Sequence, residues 1–239
     1  MRRALLLILP AILPVSVTAQ QPVAIPVGSP LVRPARIARG IERYEMVMVR
    51  DGQERAMGTY VVKVEEVNGV LLVTQETTMP QGSIIDSAWV DPVTFVPTRQ
   101  VSYGFAGSSE LRFDGTKVTG SRTPPGGVAS AVEAVLNAAP FSGSLAPMMI
   151  RALPLDANFQ ATFPVYRDPG GMADATIRVL GREQVPGPGT TAWKVAISIG
   201  PQSATLWIDD AAGRELRTEA QMPGGVMMIM RPAAAEKKP

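Results

Sequence analysis

The chain has 239 residues with no cysteine and no histidine. That excludes disulfides, thiol nucleophiles, the usual zinc ligand sets and the usual Ser-His-Asp triad. Its 23 basic and 21 acidic residues give a net charge of +2, but taking away Arg2 and Arg3 of the leader leaves 21 of each sign. A neutral mature chain gives no electrostatic reason to expect nucleic acid as a partner.

The first nineteen residues read as a cleavable secretory signal. Arg2 and Arg3 make a positive n-region, and Ala4–Leu9 begin an apolar run that reaches about Val17. Val17-Thr18-Ala19 then places small residues where a signal peptidase inspects them, so cleavage is expected after Ala19. A spanning helix needs about 20 apolar residues; this run is shorter and carries Pro10 and Pro14, so no integral span is expected after cleavage. Without a cysteine the chain cannot be a lipoprotein, and the expected location is the periplasm or the exterior. High Ala, Arg, Pro and Gly with five lysines point to a GC-rich bacterial genome.

Residues 20–40 hold Pro22, Pro26, Pro30 and Pro34 without a sustained period, which predicts an extended, mobile lead-in. From residue 41 the dominant period is two. Tyr44, Met46 and Met48 alternate with Arg43, Glu45 and Val47, and Asp51-Gly52 marks a turn. Tyr60, Val62 and Val64 then share a face, and Asn68-Gly69 is a strong hairpin signal because a type I′ turn needs positive φ at both central residues. Strands are predicted over Val70–Met79, Ile84–Asp91, Phe95–Phe105, Glu110–Phe113 and Lys117–Arg122.

Thr123–Gly127 breaks this pattern. Ala129–Ala139 has helical composition, and Ser144–Leu153 forms a second short helical pattern with Pro147 in its first turn. A helical insert is thus expected at about 129–153. Strands resume over Phe159–Tyr166, Ala175–Val185, Thr191–Ile199, Ala204–Asp209, Arg214–Gln221 and Val226–Met230, before an unstructured tail from Pro232 to Pro239. The prediction is a mainly β protein: one large curved antiparallel sheet or unclosed β-barrel over residues 41–231. Two half-domains joined at the Pro-Gly segment are the alternative.

There is also an internal echo. Trp89-Val90-Asp91 and Trp207-Ile208-Asp209 each end a strand, and Arg99 and Arg217 follow in the next one. Either a hairpin is duplicated or good turn chemistry is used twice.

No catalytic or metal site is legible. Glu65-Glu66 and Asp209-Asp210 are adjacent pairs, and neighbours on a strand face opposite ways, so neither makes a glycosidase pair. Asp209–Gly213 supplies too few oxygens for a calcium loop. Methionines cluster at Met46 and Met48, Met148 and Met149, and Met222, Met227, Met228 and Met230. They suit adaptable apolar packing or an apolar binding surface.

The segment Asp86–Arg99 resembles the "strand, Asp-x-x-Thr-Leu-x-Pro, strand" stretch of a bacterial envelope family known only as domain of unknown function 3108. Leu111–Gly115 with Gly120, Ile150–Leu155 and the Trp207-Ile208-Asp209 hairpin resemble it too. The resemblance implies a fold distantly similar to the lipoprotein-localisation factors LolA and LolB, whose unclosed barrel holds acyl chains, and it carries over no catalytic residue.

Three functions follow as expectations. The first is a non-enzymatic envelope protein holding a lipid or other apolar ligand in its half-barrel, lined by Tyr44, Met46, Met48, Tyr60, Val62, Met148, Met149 and Ile150, with no cofactor. The second is an interaction or scaffold module with a filled barrel that docks an envelope protein partner. The third is an enzyme using converging carboxylates or tyrosines.

Overall fold

Asn68 and Gly69 take φ of 54° and 76°, and Asp51 and Gly52 take 52° and 76°. Both pairs therefore turn the chain tightly enough to register its neighbours. The structure, a computed structural model, describes residues 21–187 and 189–234. The expected leader, the cleavage expected after Ala19 and the last five residues of the tail lie outside them.

The strands are β1 (Val23–Ala24), β2 (Gly40–Arg50), β3 (Gln53–Val67), β4 (Val70–Met79), β5 (Gly82–Val90), β6 (Pro97–Gly104), β7 (Gly107–Asp114), β8 (Lys117–Thr123) and β9 (Ser130–Val135). After the short β10 (Phe141–Ser142) comes the helix α1 (Ala146–Ala152). The remaining strands are β11 (Gln160–Arg167), β12 (Gly171–Gln184), β13 (Thr191–Ile199), β14 (Gln202–Ile208), β15 (Glu215–Met222) and β16 (Val226–Pro232). They form one sheet in the order β1-β11-β12-β13-β14-β15-β16-β2-β3-β4-β5-β6-β7-β8-β9, with β10 also on β11.

The long-range join is β16 on β2, which sets Met228 opposite Met48 and Met230 opposite Met46. Part of the methionine clustering is therefore one cross-strand ladder. The sheet does not close by hydrogen bonds. β9 is one edge, and the edge strand at the other end, β11, is covered in part by β1 and β10, both parallel to it.

Packing completes what the ladder leaves open. Phe163 and Val165 of β11 belong to the main core, whereas their neighbour Tyr166 belongs to a second cluster with Leu111, Phe113 and Val118. Successive strand residues face opposite ways, so the far end of the sheet covers the face of β11 turned away from the main core. Phe113 meets Tyr166 edge-on at 6.3 Å.

The helix fills the interior. Ala146, Met148, Met149, Ile150, Arg151 and Ala152 are all buried, and its apolar members belong to the core built by β2–β5 and β11–β14. A helix apolar around its girth is one enclosed on all sides. Burying each Met or Ile side chain of this kind contributes about 1.5–3 kcal/mol. The C-terminal end of the helix is capped from the lead-in, since Arg33 N–H donates to the Ala152 carbonyl at 2.9 Å, and Gln75 Nε2 of β4 holds the turn before the helix through the Ser144 carbonyl at 3.1 Å.

Two expectations are corrected. Ala129–Ala139 is not helical: Ser130–Val135 is the edge strand β9, with Val132 and Ala134 packed on the second cluster and Glu133 and Val135 pointing out less hindered. Its alternation outweighs its alanine content. The segment 21–39 is not loose either. Ile25, Val32 and Ile37 are buried in the main core, and Ile25 N–H donates to the Thr162 carbonyl at 2.8 Å. The segment is also not extended throughout: it winds through turns closed by Ser29 N–H on the Pro26 carbonyl and Val32 N–H on the Ser29 carbonyl, and a 3-10 turn at Pro34–Arg36.

The echoed hairpins share their construction. Trp89 pairs with Arg99 and Trp207 with Arg217, each with a register shift one residue on. In the turns, Phe95 N–H donates to the Asp91 carbonyl and Gly213 N–H to that of Asp209, both at 2.9 Å. Phe95 and Gly213 both have positive φ, 60° and 56°.

Candidate functional site

The eight residues expected to line a ligand space are spread through the packed interior. Tyr44, Val62, Met148, Met149 and Ile150 are in the main core, and Tyr60 packs against it. Met46 is buried, while Met48 is half-buried on the β2–β16 ladder. None of the eight lines either of the two hollows described below.

Two of them belong to or touch a buried polar network: Tyr44 is part of it and Met148 lies against Arg151. Arg151, projecting from α1, donates from Nη2 to Glu42 Oε1 at 2.7 Å and from Nη1 to Oε2 at 3.0 Å. Its Nε donates to the Gly213 carbonyl at 2.5 Å. Tyr44 Oη donates to Glu42 Oε2 at 2.6 Å and lies 3.1 Å from the Glu215 carbonyl. Thr218 Oγ1 donates to the Glu215 carboxyl. Burial pushes the Glu215 carboxyl above the usual range, more than its Thr218 bond and Arg151 pull it down. Burial also holds the Tyr44 and Tyr60 phenols well above theirs, with the charge of Glu215 adding to it. Arg151, Glu42, Tyr44, Glu215 and Thr218 are thus tied to one another by hydrogen bonds.

Open space lies at one end of the barrel. A vestibule of about 620 Å³ has a rim made from the turns at Ala106–Gly107, Pro124–Pro125, Asp168–Pro169 and the β13–β14 hairpin, where Ile199 and Gln202 flank the turn. Its wall includes Ile84, Asp86, Gln100, Ser102, Ser109 and Ser144. Ile84 and Asp86 share the phase of the buried Ala88 and Val90, so period two points them inward. Gln100 and Ser142 tie the wall to the plug, since Ser142 Oγ donates to Gln100 Oε1 at 2.7 Å. Beneath them, α1 blocks the way to the core.

Four charged residues line the vestibule: Asp86, Arg122, Arg167 and Asp168. Arg122 donates to Asp168 Oδ1 from both Nε and Nη2. Burial pushes the Asp86 carboxyl up, with Ser102 opposing the shift. A second, shallower hollow of about 430 Å³ lies across β12–β16 and includes Arg178, Ile197 and Glu219. Among the described residues no group of three or more carboxylates is placed to hold a metal ion, and no helix is long and apolar enough to cross a membrane.

The vestibule residues were not singled out from the sequence. The available signal is a polar residue at an inward phase: Asp86 among Ile84, Ala88 and Val90. A carboxylate there needs a partner or water.

Together these features define a β-barrel-like domain with a filled interior and a polar vestibule at one end. Residues 43–231 match the family described as protein of unknown function DUF3108, and the chain belongs to that family. It is also similar to the crystal structure of a beta-barrel-like protein of domain of unknown function DUF1849 from Brucella abortus. The TM-score is 0.53 at 10% identity, over 83% of this chain and 97% of that one. That likeness concerns the fold alone, and it does not show the similarity to LolA and LolB that the resemblance implied. No curated protein matches the chain.

Proposed function

We propose that this is an exported, non-enzymatic envelope protein that binds a lipid or other apolar ligand, and that the ligand sits in the vestibule and not inside the sheet. The observation that carries the reading is the vestibule itself. Its volume of about 620 Å³ falls in the range of roughly 300–1,000 Å³ typical of small-molecule sites. It joins apolar residues such as Ile84, Ile199, Pro124 and Pro125 to polar groups such as Asp86, Gln100 and Ser102. Inside the sheet the space is taken by Met148, Met149 and Ile150. Export rests on the leader, and the non-enzymatic role on the absence of histidine and cysteine and on the internal pairing of the buried acids.

The test is native mass spectrometry with lipid extraction on protein purified from its own envelope. A stoichiometric co-purifying lipid or other apolar molecule supports the reading, and a clean protein mass with no extractable ligand contradicts it.

A second reading, a docking module for an envelope protein, has one observation in its favour. The filled interior leaves β9 as an unpaired edge, with Val128 and Val135 strongly exposed beside it. Unpaired edges are templates for strand addition. A pull-down that returns one stoichiometric partner, lost when Val132 is replaced by proline, would favour it.

A further inference from the structure

Two acids and two arginines line the vestibule, and they are not all paired. Asp168, whose side chain is 5% exposed, is engaged by Arg122. Arg167 lines the same wall and makes no ion pair with a carboxylate among the described residues.

Its position is built. A Cβ placed on Gly143 would fall 2.9 Å from Arg167 Cγ and 2.7 Å from the Tyr166 carbonyl oxygen, so the arginine stem lies against the turn that leads into α1. Its Nη1 reaches the β13–β14 turn, 3.8 Å from where a Gly200 Cβ would stand. The side chain thus runs from the plug to the rim, stretched along the vestibule wall.

We infer that the vestibule recognises a single-chain amphiphile by its anionic head, with the Arg167 guanidinium as the head-group contact and Ile84, Ile199, Pro124 and Pro125 against the chain. This rests on the vestibule being the ligand site. A guanidinium fork matches the paired oxygens of a carboxylate or phosphate, and the bond is stronger where water is excluded. Ile84, Ile199, Pro124 and Pro125 are among the apolar side chains of the lining that a hydrocarbon chain would meet. A volume of about 620 Å³ has room for one short hydrocarbon chain.

Titration calorimetry with dodecanoate and with dodecyl maltoside, both below their micelle concentrations, tests this on the mature protein and on Arg167→Gln, Arg167→Lys and Arg50→Gln. Arg50 is an exposed residue at the end of β2 and serves as the charge control. Dodecanoate should bind the mature protein more tightly than the maltoside. It should weaken about tenfold in Arg167→Gln, the scale of one charge-assisted contact, less in Arg167→Lys, and not in Arg50→Gln. If both amphiphiles bind alike and Arg167→Gln changes neither, the head-group assignment is wrong while the vestibule reading stands. If neither amphiphile binds, both are overturned. A thermal melt of each variant separates lost binding from lost fold.

Discussion

Arg151 on the buried helix and Glu42 on β2 form a two-point ion pair, at 2.7 and 3.0 Å, between groups 109 residues apart in the chain. The arginine side chain is 1% exposed and that of Glu42 14%. This pair fixes the depth and rotation of the helix that fills the barrel. Replacing both charges with apolar or neutral groups is often tolerated, but removing one leaves the other buried without a partner. Arg151→Met should therefore cost about 3 kcal/mol or more. The double variant Arg151→Met/Glu42→Gln should recover part of that loss. Urea denaturation of the two variants beside the parent checks both statements.

Glu215 predicts a pH dependence. Burial raises its folded-state pKa above the ordinary 4.5, so the folded protein holds this proton to higher pH than the unfolded chain does. The associated stability is complete below the ordinary value and is lost as pH rises through the folded one. Denaturation midpoints measured from pH 4.5 upward should fall for the parent relative to Glu215→Gln. Parallel profiles for the two proteins would show that Glu215 ionises freely in place.

The twin hairpins predict losses for opposite reasons. Phe95 holds a positive φ although it is a bulky residue, and its side chain is in the main core. Phe95→Gly relieves about 1 kcal/mol of backbone strain but empties an aromatic site worth about 3–5 kcal/mol, so a net loss is expected. At the matching position, Gly213, an added Cβ would sit 2.2 Å from the Arg36 carbonyl oxygen at a φ of +56°. Gly213→Ala should therefore also destabilise, by steric overlap with the lead-in. Thermal melts of the two variants check the signs.

Period two and turn chemistry made most of the sheet legible. The Asn68-Gly69 hairpin and the Trp-x-Asp turns are local signals, and each is a tight turn or strand end in the structure. The pairing of β16 with β2 is not local. Met46 and Met230 lie at opposite ends of the chain, and nothing in either strand names the other. Ser130–Val135 was misread because alanine content mimics a helix, when Val132 and Ala134 alternate with Glu133 and Val135.

The site was harder still. An inward phase for Tyr44, Val62 and Met148 says that a side chain points to the centre, but not what occupies it. Nothing in the sequence near Arg151 marks it as buried, and only the placement of Glu42 gives its charge a buried partner. The vestibule arises where four turns from distant parts of the chain meet, and turn residues such as Ala106, Pro124 and Pro169 carry no mark of that meeting.

The central claim is that ligand is held in the end vestibule and not within the sheet. Photo-crosslinking the mature protein with a diazirine-bearing dodecanoate, followed by mass spectrometry of the labelled peptides, tests it most directly. Label should fall on segments 102–109, 122–125 and 166–169, which border the vestibule. Label concentrated on 44–62 and 148–150 would place the chain among the core residues and contradict the account.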